Sequence, residues 1–538
     1  MPDQTYIDTA HLLRRAGFGA DPATIKQAAA AGLDATTESL LHPETVPEDL
    51  NDTKTLASLS SILPETKNDG TPTQAVKMWW VHRMIASPRP LVEKMTLFWH
   101  GHFTSRDGGM QGDLLYQQNQ LFRTHALGSF RTLTLAVSRN PEMLRYLNGN
   151  ENHKAHANEN YGRELMELYT CGIGPIDRPN YTEEDVKAAA RAFSGWNLRG
   201  GEFRFNPNQH DNDPKTFMGK TGNWNGDDIV DILVAHPATA KRLCTQLFTY
   251  FAYPDPEPQV LDALVQTYYA SGYDVGAVMG RILKSKAFYS EKARFAVIKS
   301  PAQYVVGTVK MLGLDKAVEL AISDITQANE MAYMPTSTTM PAAPAATVPA
   351  APTAPAVTPQ QAAGRKLAIL AGLPGAMRSM GQDLLAPPTV KGWDGGEAWI
   401  NTSTLLARIN FANAISNSRQ WFGGQVQTVT SYLQQNSLTP EAWVDLLIDS
   451  LGPLPLTAGT RQTLVDFVNS SDALAPSAQP PTIQNAQFVP PAPGPFRRGR
   501  RNLGGGYNRL RNAAPGGLEG RLRAVLPMIM ATPEYQVC

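Results

Sequence analysis

Four stretches of this chain bring imidazoles, carboxylates and cations close together. The first is FWHGHFTSR, residues 98–106, where His100 and His102 stand one glycine apart between aromatics. Two neutral imidazoles on one face can ligate a metal ion or carry a proton. The second is HANENYGRELMELYTCGIG, in which Asn160, Glu164 and Glu167 follow at spacings of four and three. Those spacings place them on one face of a helix. Two carboxylates one turn apart can hold a cation, or divide acid and base roles where their environments push their pKa values apart. The third is NPNQHDNDPKTFMGKTG, with His210 and Asp211 in a turn-rich loop and Lys215 and Lys220 suited to an anionic group. The fourth is GQDLLAPPTVKGWDGGEAWINTSTLLAR, whose paired prolines and glycines make a rigid corner around Trp393 and Trp399.

Each stretch also has a purely structural reading. On a continuing helix His100 and His102 would point about 200° apart. On extended chain they would share a face, and Gly101 between them favours a helix that ends there. If they do not share a face, one caps the helix and the other bonds a backbone carbonyl. Glu159–Arg163 and Arg163–Glu167 are both i,i+4 pairs, the pattern of a salt-bridged surface helix. His153 and His156 fall in a loop-like run, and a His-Asp pair in a loop is usually a solvated turn. The catalytic reading makes His100 and His102 ligands of a divalent metal or proton carriers, with Glu164 and Glu167 as ligand and base. His210 and Asp211 complete that site, and Arg163 orients a carboxylate or binds an anion.

The elements that must position these groups are mostly helical. TEEDVKAAARAFSG carries a capping box at Thr182 and Asp185, staple positions at Tyr181 and Val186, and Gly195 beyond the last periodic residue. HPATAKRLCTQLFTYFAY sets Pro237 at a first helical position, with Leu243, Leu247, Phe248 and Phe251 on one face. RPLVEKMTLFW repeats the period through Val92, Met95 and Trp99. The helix of the second stretch starts near Asn158, with Tyr161, Leu165 and Leu168 on a buried face. Alternating patterns are scarce, and the polar run 203–217 suits a short hairpin. The expected fold is therefore mainly α, a multi-helix array with long loops. Residues 1–333 and 364–473 read as its two helical parts and 518–538 as a C-terminal helix packing on the core. Between them, 334–363 is Pro/Ala/Thr-rich, while 474–517 is Pro-rich and then basic and Gly-rich. Both read as disordered. The basic run 496–511 is either a solvated loop or a nucleic-acid contact.

Of 538 residues 42% are hydrophobic, which supplies a sizeable core, and 48 basic residues balance 48 acidic ones. That balance argues against a whole-protein field for nucleic acid or anionic membrane. Three cysteines, Cys171, Cys244 and Cys538, are too few for a disulfide framework. No apolar run reaches the roughly 18 residues of a membrane span. The first twenty residues lack a signal-peptide pattern, so the compartment reads as cytoplasmic by default, with export to the periplasm as the alternative. The zinc-protease and nucleophile-elbow motifs are absent. GKTG at residues 219–222 lacks the first P-loop glycine, since Pro214 stands there.

Taken together and in order, seven runs carry a resemblance. They are HLLRRAGFGA, EKMTLFWHGHFTS, NENYGRELMELYTCGIG, YTEEDVKAAARAFSGW, HDNDPKTFMGKTG, HPATAKRLC and PPTVKGWDGGEAWINTSTLLARINFA. From His11 to Phe411 the chain resembles a bacterial family catalogued as domain of unknown function 1800, with an echo in ATPEYQ near the end. The resemblance implies a predominantly helical fold and no particular activity. It also implies a partner, a second family catalogued as domain of unknown function 1501 and similar to alkaline phosphatases and sulfatases. His100 and His102, Glu164 and Glu167, and His210 and Asp211 fall inside three of the shared runs. Two functional classes stand at this point. One is a metal-assisted or acid–base hydrolase of a polar ester or glycan. The other is a non-catalytic helical scaffold for that partner.

Overall fold

A computed structural model describes residues 3–61, 63, 70–106, 112–333, 370–418, 436, 438–470 and 518–538. The low-complexity runs 334–363 and 474–517 lie outside the described residues. The fold is mainly α, with two small antiparallel hairpins among the described residues. The chain divides into two compact units. The first takes residues 1–411, 449–454 and 533–538, and the second takes 412–448 and 455–532. Among the described residues no helix is long and apolar enough to cross a membrane.

Local chemistry sets the helix boundaries of the first unit. The helix Glu183–Ala192 starts on the expected capping box: Asp185 donates its backbone N–H to the Thr182 hydroxyl at 3.2 Å, and Thr182 returns its own to the Asp185 carboxylate at 2.8 Å. Pro237 opens Pro237–Phe251, where the absent N–H costs nothing. Leu243, Leu247, Phe248 and Phe251 are all buried there, as the period requires.

Two of the helices that carry site residues depart from simple periodicity. Pro90–His102 is buried from Leu91 through His100 without a break, Glu93 and Lys94 included. A charge on such a helix needs a partner. Glu93 accepts from Arg83 at 2.9 Å and from both Nε and Nη2 of Arg123 at 2.6 and 2.9 Å. The second departure begins at Asn160, two residues later than the sequence suggests, after the Asn158 side chain accepts the Asn160 N–H. The helix is α over Asn160–Glu164 and then widens to a π turn over Leu165–Tyr169. It closes with the Thr170 hydroxyl donating to the Leu165 carbonyl at 2.6 Å.

Strands β1 (Trp196–Arg199) and β2 (Glu202–Phe205) form one hairpin, and β3 (Lys215–Phe217) and β4 (Lys220–Gly222) the other. The single hairpin expected within 203–217 is instead two, which overlap that run from either side. In the second unit, Arg521 donates to the Val468 carbonyl at 2.6 Å and Arg523 to that of Ser416 at 2.9 Å. These bonds tie the helix Leu518–Met530 to its neighbours.

Candidate functional site

The helix carrying His100 does not stop at Gly101. It runs through His102, so the two imidazoles leave it in different directions. A glycine is weak in a helix but does not end one when tertiary packing holds both sides. His100 is 1% exposed, edge-on to Trp80, and accepts the Leu385 N–H at Nε2 (3.2 Å). Its ring also lies 5.5 Å from Trp393, on the rigid corner. Gly392 closes that contact: at φ +89 it brings the corner so near that a Cβ would stand 2.9 Å from the Gly101 carbonyl oxygen. His102 sits in an aromatic cage with Phe98, Trp99, Phe103 and Phe130, and its Nε2 donates to the Tyr169 carbonyl at 3.0 Å. Burial holds both imidazoles neutral, each with its pKa lowered to about 3, helped by Lys77 at His100 and Arg242 at His102.

The second stretch is organised differently from the i,i+4 reading. Arg163 keeps Glu159 at 3.1 Å through Nη2, but Nη1 and the same Nη2 each donate to Glu183 at 2.8 Å, and no ion pair to Glu167 is found among the described residues. Glu167 instead accepts from the Tyr181 hydroxyl at 3.1 Å. Tyr161 and Leu165 are buried as expected, while Leu168 is only half-buried. Glu164 is half-buried, and its carboxylate has no hydrogen-bond partner among the described residues. Burial, with the charge of Glu167 added, raises its pKa, and Arg163 offsets this in part. Glu164 in turn acts on Tyr146 and Tyr169, whose hydroxyls are pushed up chiefly by burial. Arg106 acts on the same Tyr146 with the opposite sign.

The third stretch is a braced loop. His210 is 6% exposed, and its Nδ1 donates to the Ser194 carbonyl at 2.8 Å. Gly195, at φ +81, lets the loop close, because a Cβ there would stand 2.5 Å from the Asn206 carbonyl. Asp211 binds Arg191 through two nitrogens at 2.7 and 3.2 Å, and that hydrogen-bonded pairing lowers its pKa. Lys215 is 1% exposed and donates to the carbonyls of Asp211 and Asp213 at 2.6 and 2.9 Å. His153 and His156 face each other across a tight bridge of their own loop.

The first two stretches meet. His102 holds the Tyr169 carbonyl, and the Tyr169 hydroxyl donates to the Thr104 carbonyl at 3.4 Å. His210 and Asp211 are instead fixed to the end of Glu183–Ala192. Among the described residues no three His, Cys, Asp or Glu side chains are grouped so as to hold a metal ion. The accepting nitrogen of His100 is already occupied by Leu385, and a ring nitrogen can coordinate only through a free lone pair. Sequence reasoning missed Tyr146, had Tyr181 only as a staple, and had Arg106 only as the end of a run. No spacing rule connects them to Glu164, because the fold alone brings them near. A cleft of about 1040 Å³ lined by Glu38, His42, Arg123, Asp274, Arg281 and Lys284 includes none of the candidate residues. Its charges are largely paired with one another or with neighbours, as in Lys284–Glu38 and Arg123–Glu93.

A family model described as "Protein of unknown function (DUF1800)" matches residues 11–537. No curated protein and no solved structure matches the chain.

Proposed function

For a chain that belongs to the DUF1800 family, we propose acid–base hydrolysis of a polar ester or glycan, centred on Glu164 and Glu167. One observation carries this reading. Glu164 is a half-buried carboxyl beside a second carboxylate, without a hydrogen-bond partner among the described residues, and its pKa is raised. Glu93 and Asp211, by contrast, are each paired with arginine. An unpaired carboxyl whose pKa is raised is suited to general acid work. Glu164 would protonate the leaving oxygen. Glu167, oriented by the Tyr181 hydroxyl, would take the proton of the attacking water. Arg106 is exposed and would attract an anionic part of the substrate. In this reading His100, His102, His210, Asp211 and Arg163 hold the frame.

The test is hydrolysis of a panel of chromogenic esters and glycosides by the purified chain. Turnover by the wild type, lost by at least about a hundredfold in Glu164→Gln and Glu167→Gln, is the expected result. A hydrolytic rate that Glu164→Gln leaves unchanged would remove the proposal.

The second reading, a non-catalytic scaffold, is favoured by a different observation: His100, His102 and His210 each spend a ring nitrogen on the backbone of another segment. Buried networks of this kind fix helix packing. Its partner would be a protein of the DUF1501 family. Stoichiometric co-elution of the two proteins, unaffected by Glu164→Gln, would favour the scaffold.

A further inference from the structure

The first unit buries a group of cations that none of the functional residues explains. Arg14 and Arg15 lie on the helix Gln4–Ala16, Lys94 on Pro90–His102, and Lys299 ahead of Pro301–Met311. Their exposures are 7, 0, 0 and 3%. Buried cations ordinarily face carboxylates. Here none of the hydrogen bonds or ion pairs of these four, among the described residues, reaches one. Lys94 donates to the Gly17 carbonyl at 2.8 Å, and Lys299 to that of Tyr535 at 2.7 Å. Arg15 donates to the carbonyls of Phe251 and Tyr250 at 2.9 and 2.8 Å. Arg14 lies over the Phe295 ring at 4.3 Å, and its buried Nε has no partner.

The acidic group among them is a thiol. The segment 536–538 runs antiparallel to 297–299, with paired backbone bonds between Cys538 and Val297 and a third from Lys299 to Gln536. This pairing seats Cys538, 2% exposed, so that Arg15 Nη1 donates to its Sγ at 2.7 Å. Sγ also lies 3.5 Å from the Val297 carbonyl, the contact a protonated thiol would use. Tyr250 faces the cluster with a buried hydroxyl that has no partner.

We propose that Cys538 is a modification site, a thiolate that the four cations hold ready for oxidation by small hydroperoxides. A thiolate supplies the anion that these buried cations lack: burial lowers Lys94 and Lys299 to about 7 and Arg14 to about 10, and Cys538 acts in the opposite direction on all three. Burial pushes the thiol up, but Arg15, Lys94, Lys299 and Arg14 overcome it and hold Cys538 below the ordinary thiol value. With no like set of cations around them, burial pushes Cys171 up to about 11 and Cys244 to about 12. In the reaction the thiolate sulfur attacks one peroxide oxygen. The S–O bond forms as the O–O bond breaks. Sulfur is oxidised by two electrons to a sulfenic acid, whose O–H proton passes to the departing hydroxide, leaving a sulfenate and water. The sulfenate keeps the negative charge the cluster requires. At 2% exposure the sulfur is shut to bulky alkylating agents, so the fitting oxidant is one little larger than water.

The experiment uses the native full chain and its own other cysteines as controls. The protein is exposed to dilute hydrogen peroxide near pH 6, then alkylated after denaturation and mapped by mass spectrometry. One oxygen gained at Cys538 at least about tenfold faster than at Cys171 or Cys244 is the expected result, since thiolate fraction sets the rate. Equal rates at the three cysteines, or oxidation of Cys538 only as pH climbs through the ordinary thiol range, would overturn the proposal. Lys94→Gln is expected to slow oxidation of Cys538 and move its thiolate ultraviolet absorbance to higher pH. Should that variant fail to fold, the comparison within the wild-type chain decides alone.

Discussion

At the scale of single residues, Glu164 and the paired histidines behave in opposite ways under substitution. A carboxyl whose native pKa lies above its unfolded value keeps its proton longer in the folded state. Its contribution therefore falls as pH rises between the two values. At neutral pH the ionised Glu164 is a cost, and Glu164→Gln should leave Tm equal or higher. That difference should vanish in melts run below the ordinary carboxyl range. A lower Tm for the variant at neutral pH would mean that the carboxylate has a stabilising partner, and the acid–base reading would lose its basis. His100→Ala should do the reverse. It strands the Leu385 N–H in a buried setting, at a cost of about 1–3 kcal/mol in denaturant unfolding. The sequence could single out these residues by type and spacing. It could not show that Arg163 prefers Glu183 to Glu167, because that choice depends on how Glu183–Ala192 lies against Asn160–Glu164.

At the scale of elements, starts were more legible than interiors. Caps and first-position prolines act within one turn of chain, so Thr182, Asp185 and Pro237 could be read directly. Thr182→Ala should cost about 1 kcal/mol, measured by chemical denaturation. The π turn at Leu165–Tyr169 was not legible, since nothing local demands it. It sits where a helix must deliver the Tyr169 carbonyl to His102 and also place Glu167 beside the Tyr181 hydroxyl. Wide turns of this kind are frequent at functional sites. The end of Pro90–His102 was misjudged for a related reason. Gly101 looked like a stop, but the packing of His100 against Trp80 and of His102 against Phe103 carries the helix through it.

At the scale of the whole molecule, stability is set against acid. His100 and His102 are lowered to about 3 and His82 to about 4, in each case chiefly by burial, and His11 is lowered by burial as well. Each binds a proton more readily when unfolded, so each withdraws stability as pH falls below the ordinary histidine range of about 6.5. Burial works against the charge of Glu93, but Arg123 and Arg83 hold its carboxyl below the ordinary value. Its stabilisation is lost only at lower pH. Tm should therefore decline already between about pH 6.5 and 5, before most carboxylates titrate, as scanning calorimetry would show. Glu93→Gln should cost about 3 kcal/mol at neutral pH, because it removes the carboxylate that Arg123 pairs with, while Arg83 keeps those of Glu48 and Asp52. The division of the chain has a practical corollary for anyone cutting the gene. The first unit is assembled from three separated lengths, so no single uninterrupted fragment confined to it contains all of it. A product truncated after Phe411 would lack the Asp449 carboxylate that accepts from Tyr6, the Tyr535 hydroxyl that meets Thr308, and the sulfur that Arg15 binds. A fragment meant to fold as the first unit has to carry all three lengths.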